Sequence, residues 1–171
     1  VRKGNDIYTG TFSKSIAPAI RMSYIVLPEK ILRIYREKCS FLSSTVSRVD
    51  QLILQRFIGE GYYERHLNKT RALYRSRHDT LLRCLRESGG QFEISGENAG
   101  VHLLLHFPSG RTEEELIESA GKKGVRVYGL SGYYVGEKKE DGSGPVILLG
   151  YANMSEAKIT DAVRLLMEAW Q

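Results

Sequence analysis

Between Thr11 and Arg21 the chain gathers three hydroxyls, one lysine and one arginine: Thr11, Ser13, Lys14, Ser15 and Arg21, in the stretch "YTGTFSKSIAPAIRMSYIVLP" that runs from Tyr8 to Pro28. Short hydroxyl donors around a small-residue turn can surround a phosphate. A guanidinium a few residues further on adds a bidentate, charge-assisted grip. A lysine that is partly desolvated and close to other cations gives up its proton more readily, and its neutral amine forms an imine with an aldehyde. An imine-forming lysine beside a phosphate cup is the pairing that pyridoxal phosphate requires. The same residues are also compatible with a plain surface turn at "TFSK" and a structural ion-pair role for Arg21. A Walker-type phosphate loop is excluded, because its glycine pattern is missing.

The elements around this turn follow from periodicity. Residues 5–12 and 21–27 read as two short buried strands flanking the lysine, and Pro18 argues against helix between them. From Pro28 the pattern turns helical, with Ile31, Leu32 and Tyr35 on one face. Val46, Val49, Leu52, Ile53 and Phe57 give a second helix over 46–58. A third, long helix covers 62–88, with Leu67, Leu73, Tyr74, Leu81, Leu82 and Leu85 as its apolar positions, and Gly89-Gly90 ends it. Beyond residue 89 strands appear: "QFEISG", "GVHLLLHFP", "VRVYG" and "PVILLGYA". A short helix at "TEEELIESAGKKG" is opened by a capping box of Thr112 and Glu115, with glutamates that suit the helix dipole. Ser155 caps a last helix whose Ile159, Val163, Leu166, Met167 and Trp170 share a face. "EKKEDGSG" reads as a mobile polar loop. The expected division is a remnant of a larger α/β domain over 1–35, connecting helices over 36–88, and a small α+β domain over 89–171.

Composition narrows the function classes. Charged residues make up 26% and hydrophobic ones 42% of the 171 residues, a soluble globular balance. No apolar run approaches a membrane span, and no signal-peptide pattern is present. Cys39 and Cys84 read as reduced helix cysteines of a cytoplasmic protein. His102 and His106 would share a face of one strand, but no third ligand lies nearby in sequence, so ordinary sheet histidines are the preferred reading. Much of the +5 net charge sits in the long helix, at Arg65, Lys69, Arg71, Arg75, Arg77, Arg83 and Arg86. With Glu64, Asp79 and Glu87 interspersed and no interleaved aromatics of the RNA-binding type, this is read as a solvated face. The chain opens at Val1 directly into a strand pattern, which reads as a piece of a longer protein.

"GTFSKSIAPAIRMSYIVLP" closely resembles the lysine segment of fold-type I, pyridoxal-phosphate-dependent aminotransferases. "EGYYERHLNKTRALYRSRHDTLL" resembles their long interdomain helix. "GVHLLLHFPSGRTEEELIESAGKKGVRVYGLSGYY" and "VILLGYANMSEAKITDAVRLL" resemble their small C-terminal domain. The resemblance implies that Lys14 holds pyridoxal 5'-phosphate as an imine, that Thr11 and Ser13 contact its phosphate, and that Arg21 grips the phosphate. Within the superfamily the chain resembles the MocR-like branch of GntR-family transcription regulators, in which an aminotransferase-like domain follows a winged-helix DNA-binding domain. "YTGTFSK", "ERHLNKTRALYRSR" and "VYGLSGYY" carry that distinction. So does Leu148, at the position where many enzymes of the fold place the arginine that holds a substrate carboxylate; a leucine cannot neutralise a carboxylate.

The resemblance therefore implies the C-terminal effector and dimerisation part of a bacterial, cytoplasmic regulator. It would sense pyridoxal phosphate or an amino compound, work as a homodimer, and reach DNA through a winged-helix domain of the parent, with no membrane partner. The alternatives are the C-terminal part of a class I/II aminotransferase, and an interaction module that has lost the cofactor. Residues that stack on the cofactor ring and pair with its nitrogen would lie upstream of Val1. The chain alone is thus expected to be inactive, to bind the cofactor weakly if at all, and to self-associate through open strand edges. Tyr128, Tyr133 and Tyr134 fall where the small domain should face the cofactor cleft, or else where it packs on its neighbour. Arg126 is the candidate to replace the missing carboxylate-binding arginine.

Overall fold

A computed structural model describes residues 6–98, 100–135 and 144–171. The polar loop expected at "EKKEDGSG" and the start of the first expected strand fall largely outside them. The chain divides into two compact units, Val1–Thr70 and Arg71–Gln171.

The first unit is a two-stranded ribbon and the helices that follow it. Strand β1 (Tyr8–Thr11) pairs antiparallel with β2 (Ser23–Val26), with Tyr8 opposite Val26 and Thr11 opposite Ser23. Between them Phe12–Ser15 winds into one helical turn, α1, closed by the Ile16 amide donating to the Phe12 carbonyl at 2.8 Å. The helix stops before Pro18, where a proline would have broken its ladder. Helix α2 spans Glu29–Cys39 and α3 spans Arg48–Gly59. An aromatic cluster forms around the ribbon: Phe12 meets Tyr24 at 5.4 Å and the edge of Tyr63 at 5.9 Å, and Phe57 stacks on Tyr62 at 6.2 Å.

The ribbon strands are not buried, contrary to the apolar reading of 5–12 and 21–27. Tyr8, Tyr24, Ile25 and Val26 are all exposed, and Met22, at 9%, is the one buried hydrophobic residue described in this unit. The physical reason is topological. A two-stranded sheet has no interior strand, and each strand keeps one edge unpaired.

The second unit has a real core. Helix α4 (Tyr62–Glu87) belongs to the first unit in its opening turns and supplies Leu81 and Leu85 to this core. Four antiparallel strands follow in the order β3–β4–β6–β5, with β3 at Glu93–Ser95, β4 at His102–His106, β5 at Tyr128–Gly129 and β6 at Val146–Gly150. Leu103 and Leu105 alternate inward from β4, and Ile147 and Leu149 do so from β6. Helices α5 (Glu113–Lys122) and α6 (Glu156–Trp170) add Leu116, Ala120, Ile159, Val163 and Leu166.

The expected caps are present. Thr112 Oγ1 accepts from the Glu115 amide at 3.1 Å, and the Glu115 carboxylate accepts from the Thr112 amide at 2.9 Å. Trp170 packs its edge on Phe107 at 5.1 Å and donates Nε1–H to the Leu116 carbonyl at 3.0 Å, tying α6 to α5. Strand β5 is shorter than "VRVYG" suggests. The Val125 amide is spent on the Ala120 carbonyl, closing α5 around Gly124 at φ +77°, so pairing begins only at Tyr128.

Candidate functional site: the lysine turn and the tyrosine segment

Lys14 sits inside α1, exposed, and makes no hydrogen bond or ion pair among the described residues. Around it the turn is laced by its own hydroxyls. Thr11, the N-cap of α1, accepts from the Ser13 amide at 3.2 Å and donates its hydroxyl to the Met22 carbonyl at 3.3 Å. Ser13 Oγ donates to the Ile20 carbonyl and accepts from Arg21 Nη1 at 3.4 Å. Arg21 Nη1 also lies 3.5 Å from the Pro18 carbonyl. Ser15 accepts from the Tyr63 hydroxyl at 3.0 Å.

The turn therefore brings Thr11, Ser13 and Arg21 into one hydrogen-bonded chain, with the free amine of Lys14 one residue beyond Ser13. That donor set suits an anion: a guanidinium and two hydroxyls in sequence. Both hydroxyl protons already serve carbonyls of the turn, so the exposed guanidinium of Arg21 is the donor with spare capacity. Beside it an open, largely apolar groove of about 550 Å3 runs between Ile20–Met22 and α3, with Arg21 and Asp50 as its charged members.

In the second unit Leu148 lies on the outer face of the sheet, opposite Leu104 on one side and Tyr128 on the other. The Arg126 guanidinium stands 5.1 Å over the Tyr128 ring. Tyr133 ends a 3-10 turn, Ser131–Tyr133, Tyr134 follows it in extended conformation, and both are strongly exposed at 67% and 61%. Tyr151 is buried and donates its hydroxyl to the Gly100 carbonyl at 3.1 Å; burial, and then the charge of Asp79, push its phenol above the usual tyrosine range.

His106 Nε2 is 2.6 Å from Ser95 Oγ, and no cluster of three ligating side chains occurs among the described residues. Cys39 and Cys84 are both free thiols. The long helix does carry a solvated basic face: Arg83 pairs with Glu87 and Arg86 with Glu97. No helix among the described residues is long and apolar enough to cross a membrane.

Sequence reasoning misses one functional candidate. Glu113 reads in the sequence only as a glutamate favoured by the helix dipole, but it is 5% exposed and the one buried charged residue described. Its carboxylate accepts from the Ser131 amide at 3.2 Å, from the Ser131 hydroxyl, and from the Val146 amide at 3.5 Å.

No protein-family model matches the chain. Among known proteins it is 37% identical over 168 residues to the HTH-type transcriptional regulator YhdI of Bacillus subtilis, covering 98% of this chain and 35% of the relative. It is 39% identical over 168 residues to YdeL of the same organism, an HTH-type regulator of which it again covers 35%. It is 28% identical over 170 residues to the probable rhizopine catabolism regulatory protein MocR of Rhizobium meliloti, covering 99% of this chain and 34% of that protein. The chain thus spans about a third of the length of the regulators it matches. Among solved structures it superposes on the kynurenine aminotransferase of Pyrococcus horikoshii with a TM-score of 0.78 at 26% identity, over 98% of this chain and 41% of that one. The multiple substrate aminotransferase of Thermococcus profundus gives 0.77 at 26% identity, over 96% and 40%. By sequence the chain is a homologue of one segment of the MocR-like HTH-type transcriptional regulators, and by structure that segment has the fold of a pyridoxal-phosphate-dependent aminotransferase.

Proposed function

We propose that the chain is the C-terminal effector and dimerisation part of a GntR/MocR-type transcription regulator, one that senses pyridoxal phosphate or an amino compound through Lys14. The reading rests above all on the lysine turn: an exposed amine with no partner among the described residues, next to a hydroxyl–hydroxyl–guanidinium chain that suits a phosphate. Pyridoxal phosphate, when bound, supplies an aldehyde carbon that exchanges between amines. Lys14 would be its covalent anchor, Arg21 its main phosphate donor, and Thr11 and Ser13 its hydroxyl contacts once their protons turn from the Met22 and Ile20 carbonyls to the phosphate. Residues 1–35 would then belong to the large cofactor domain, 36–88 to the connecting helices and 89–171 to the small domain. A change of ligand at Lys14 would shift the population between conformations and move DNA-binding domains elsewhere in a cytoplasmic homodimer.

The second reading, a segment of a true aminotransferase, is supported by the solved structures it resembles. There Lys14 would also act as the proton-shuttling base. Leu148 weighs against it, because a leucine cannot neutralise a carboxylate.

The deciding experiment uses the full-length protein. Pyridoxal phosphate is added, and visible absorbance and DNA mobility are recorded for the parent and for Lys14→Ala. Absorbance and a ligand-dependent DNA shift, both lost in the variant, support the regulator. Absorbance with steady transamination of ordinary amino acids and no DNA binding supports the enzyme. Absorbance unaltered by Lys14→Ala overturns both.

A further inference from the structure

Lys14 is the exposed residue of a helical turn whose other three members are all tied. Adjacent residues of a helix point about 100° apart, so Ser13 and Ser15 flank Lys14 on either side and Phe12 lies nearly opposite it. The Ser13 hydroxyl is held within its own loop, by the Ile20 carbonyl and Arg21. The back and the other flank are held by one residue from far along the chain, Tyr63. Its ring meets the Phe12 ring edge-on at 5.9 Å, and its hydroxyl donates to Ser15 Oγ at 3.0 Å, across 48 residues of sequence. Among the described residues that is the one hydrogen bond that reaches α1 from outside the ribbon and its turn. Tyr63 is itself well seated: it stands in the first turn of α4, half-buried, with the Phe57 ring of α3 at 6.3 Å. A single turn of helix makes too few bonds of its own to fix its direction, so what holds it from outside decides where Lys14 faces.

From this geometry we infer that Tyr63 is the positioning residue of Lys14, clamping the back and one flank of α1 so that the amine is presented in one direction for covalent capture of an aldehyde. The capture is a condensation. The neutral Nζ adds to the aldehyde carbon, a C=N bond forms, and the two nitrogen protons leave with the carbonyl oxygen as water. Tyr63 touches none of these atoms and acts through Phe12 and Ser15. The lysine stem is long and flexible, so fixing the backbone that carries it is what narrows the reach of Nζ. That the aldehyde is pyridoxal phosphate rests on the function proposed above; that Tyr63 clamps α1 does not.

The test compares the full-length parent with Tyr63→Phe, which keeps the ring contacts and deletes the donor, and with Ser15→Ala, which deletes the acceptor. Two ligands are titrated: pyridoxal phosphate, followed by visible absorbance, and pyridoxine phosphate, which has the same ring and phosphate but no aldehyde, followed by calorimetry. Each variant should weaken pyridoxal phosphate about fivefold and leave pyridoxine phosphate within about twofold, because Ser13 and Arg21 keep their own ties. The double variant should be no weaker than either single one, since one bond is lost only once. Equal weakening of both ligands marks a merely structural role and overturns the inference. Parent-like capture in the variants overturns it too, as do losses that multiply in the double variant, a criterion that stands whether or not pyridoxine phosphate binds. If one variant does not fold, the other decides.

A second arm, amide hydrogen exchange without ligand, separates the clamp from the sensing function. Peptides covering 12–16 should exchange about fivefold faster in Tyr63→Phe than in the parent, with residues 23–26 of β2 unchanged. No rise, or an equal rise over 23–26, overturns the clamp. Absence of visible absorbance in the parent removes the sensing function instead, and exchange over 12–16 then judges Tyr63.

Discussion

Gly129→Ala should destabilise the second unit, and by an amount that the Glu113 carboxylate sets. The new methyl would overlap Oε2 and lie 2.9 Å from Cδ. Clashes with the tip of a glutamate are usually cheap, because the side chain swings aside. Here the tip is bonded to the Ser131 amide and hydroxyl and the Val146 amide, so swinging aside leaves those donors unmet in a part-buried site. Each such group costs about 1–3 kcal/mol when fully buried, so with partial water access the substitution should cost about 2–4 kcal/mol. The backbone adds nothing, because Gly129 is not among the glycines of positive φ. Urea unfolding followed by Trp170, the single tryptophan, reports on this unit directly. In a Glu113→Ala background there is no carboxylate to displace, and adding Gly129→Ala should cost below about 0.5 kcal/mol. A cost that is equal in both backgrounds would refute the reasoning, since the clash would then lie elsewhere.

Three further outcomes follow from the packing. Leu105→Ala, in a fully buried position, should cost about 3–5 kcal/mol in the same unfolding assay, while Leu104→Ala on the opposite, half-buried face should cost clearly less. Thr112→Ala removes the cap of α5 and should cost about 1 kcal/mol, measured by the same urea midpoint. Tyr151 has a folded-state pKa raised by burial, so its contribution to stability is whole below the unfolded value of about 10 and is lost as pH rises through the folded value. Unfolding measured across alkaline pH should show that decline in the parent. Tyr151→Phe should flatten it and cost about 1 kcal/mol at neutral pH through loss of the bond to Gly100.

Where the sequence is legible, a local cause explains it. The helices from Pro28 onward appear within a residue or two of their expected bounds, because apolar period, caps and glycine stops are all written within one turn of each end. The capping box of Thr112 and Glu115 is of the same kind. Burial is less legible. Residues 8–11 and 23–26 form strands within the expected 5–12 and 21–27, but a short strand-like run carries no information on whether another layer covers it. The length of β5 escapes the sequence pattern for a similar reason. Val125 has the composition of a strand residue, but its amide is already claimed by the end of α5.

The two candidate sites divide along the same line. Thr11, Ser13, Lys14 and Arg21 can be read together because their partners are at most eleven residues apart, and a single turn assembles them. Glu113 cannot, because nothing near it in sequence announces burial: it begins a helix in a run of three glutamates, where exposure is the default. Its meaning comes from Gly129, Ser131 and Val146, which the sheet order β6–β5 brings alongside α5. The composition of "YGLSGYY" fits that arrangement. A glycine gives room for the carboxylate, a serine supplies two donors to it, and tyrosines are placed just past the point of attachment. A cluster assembled by one turn shows in a sequence; one assembled by a sheet shows only once the strands are paired.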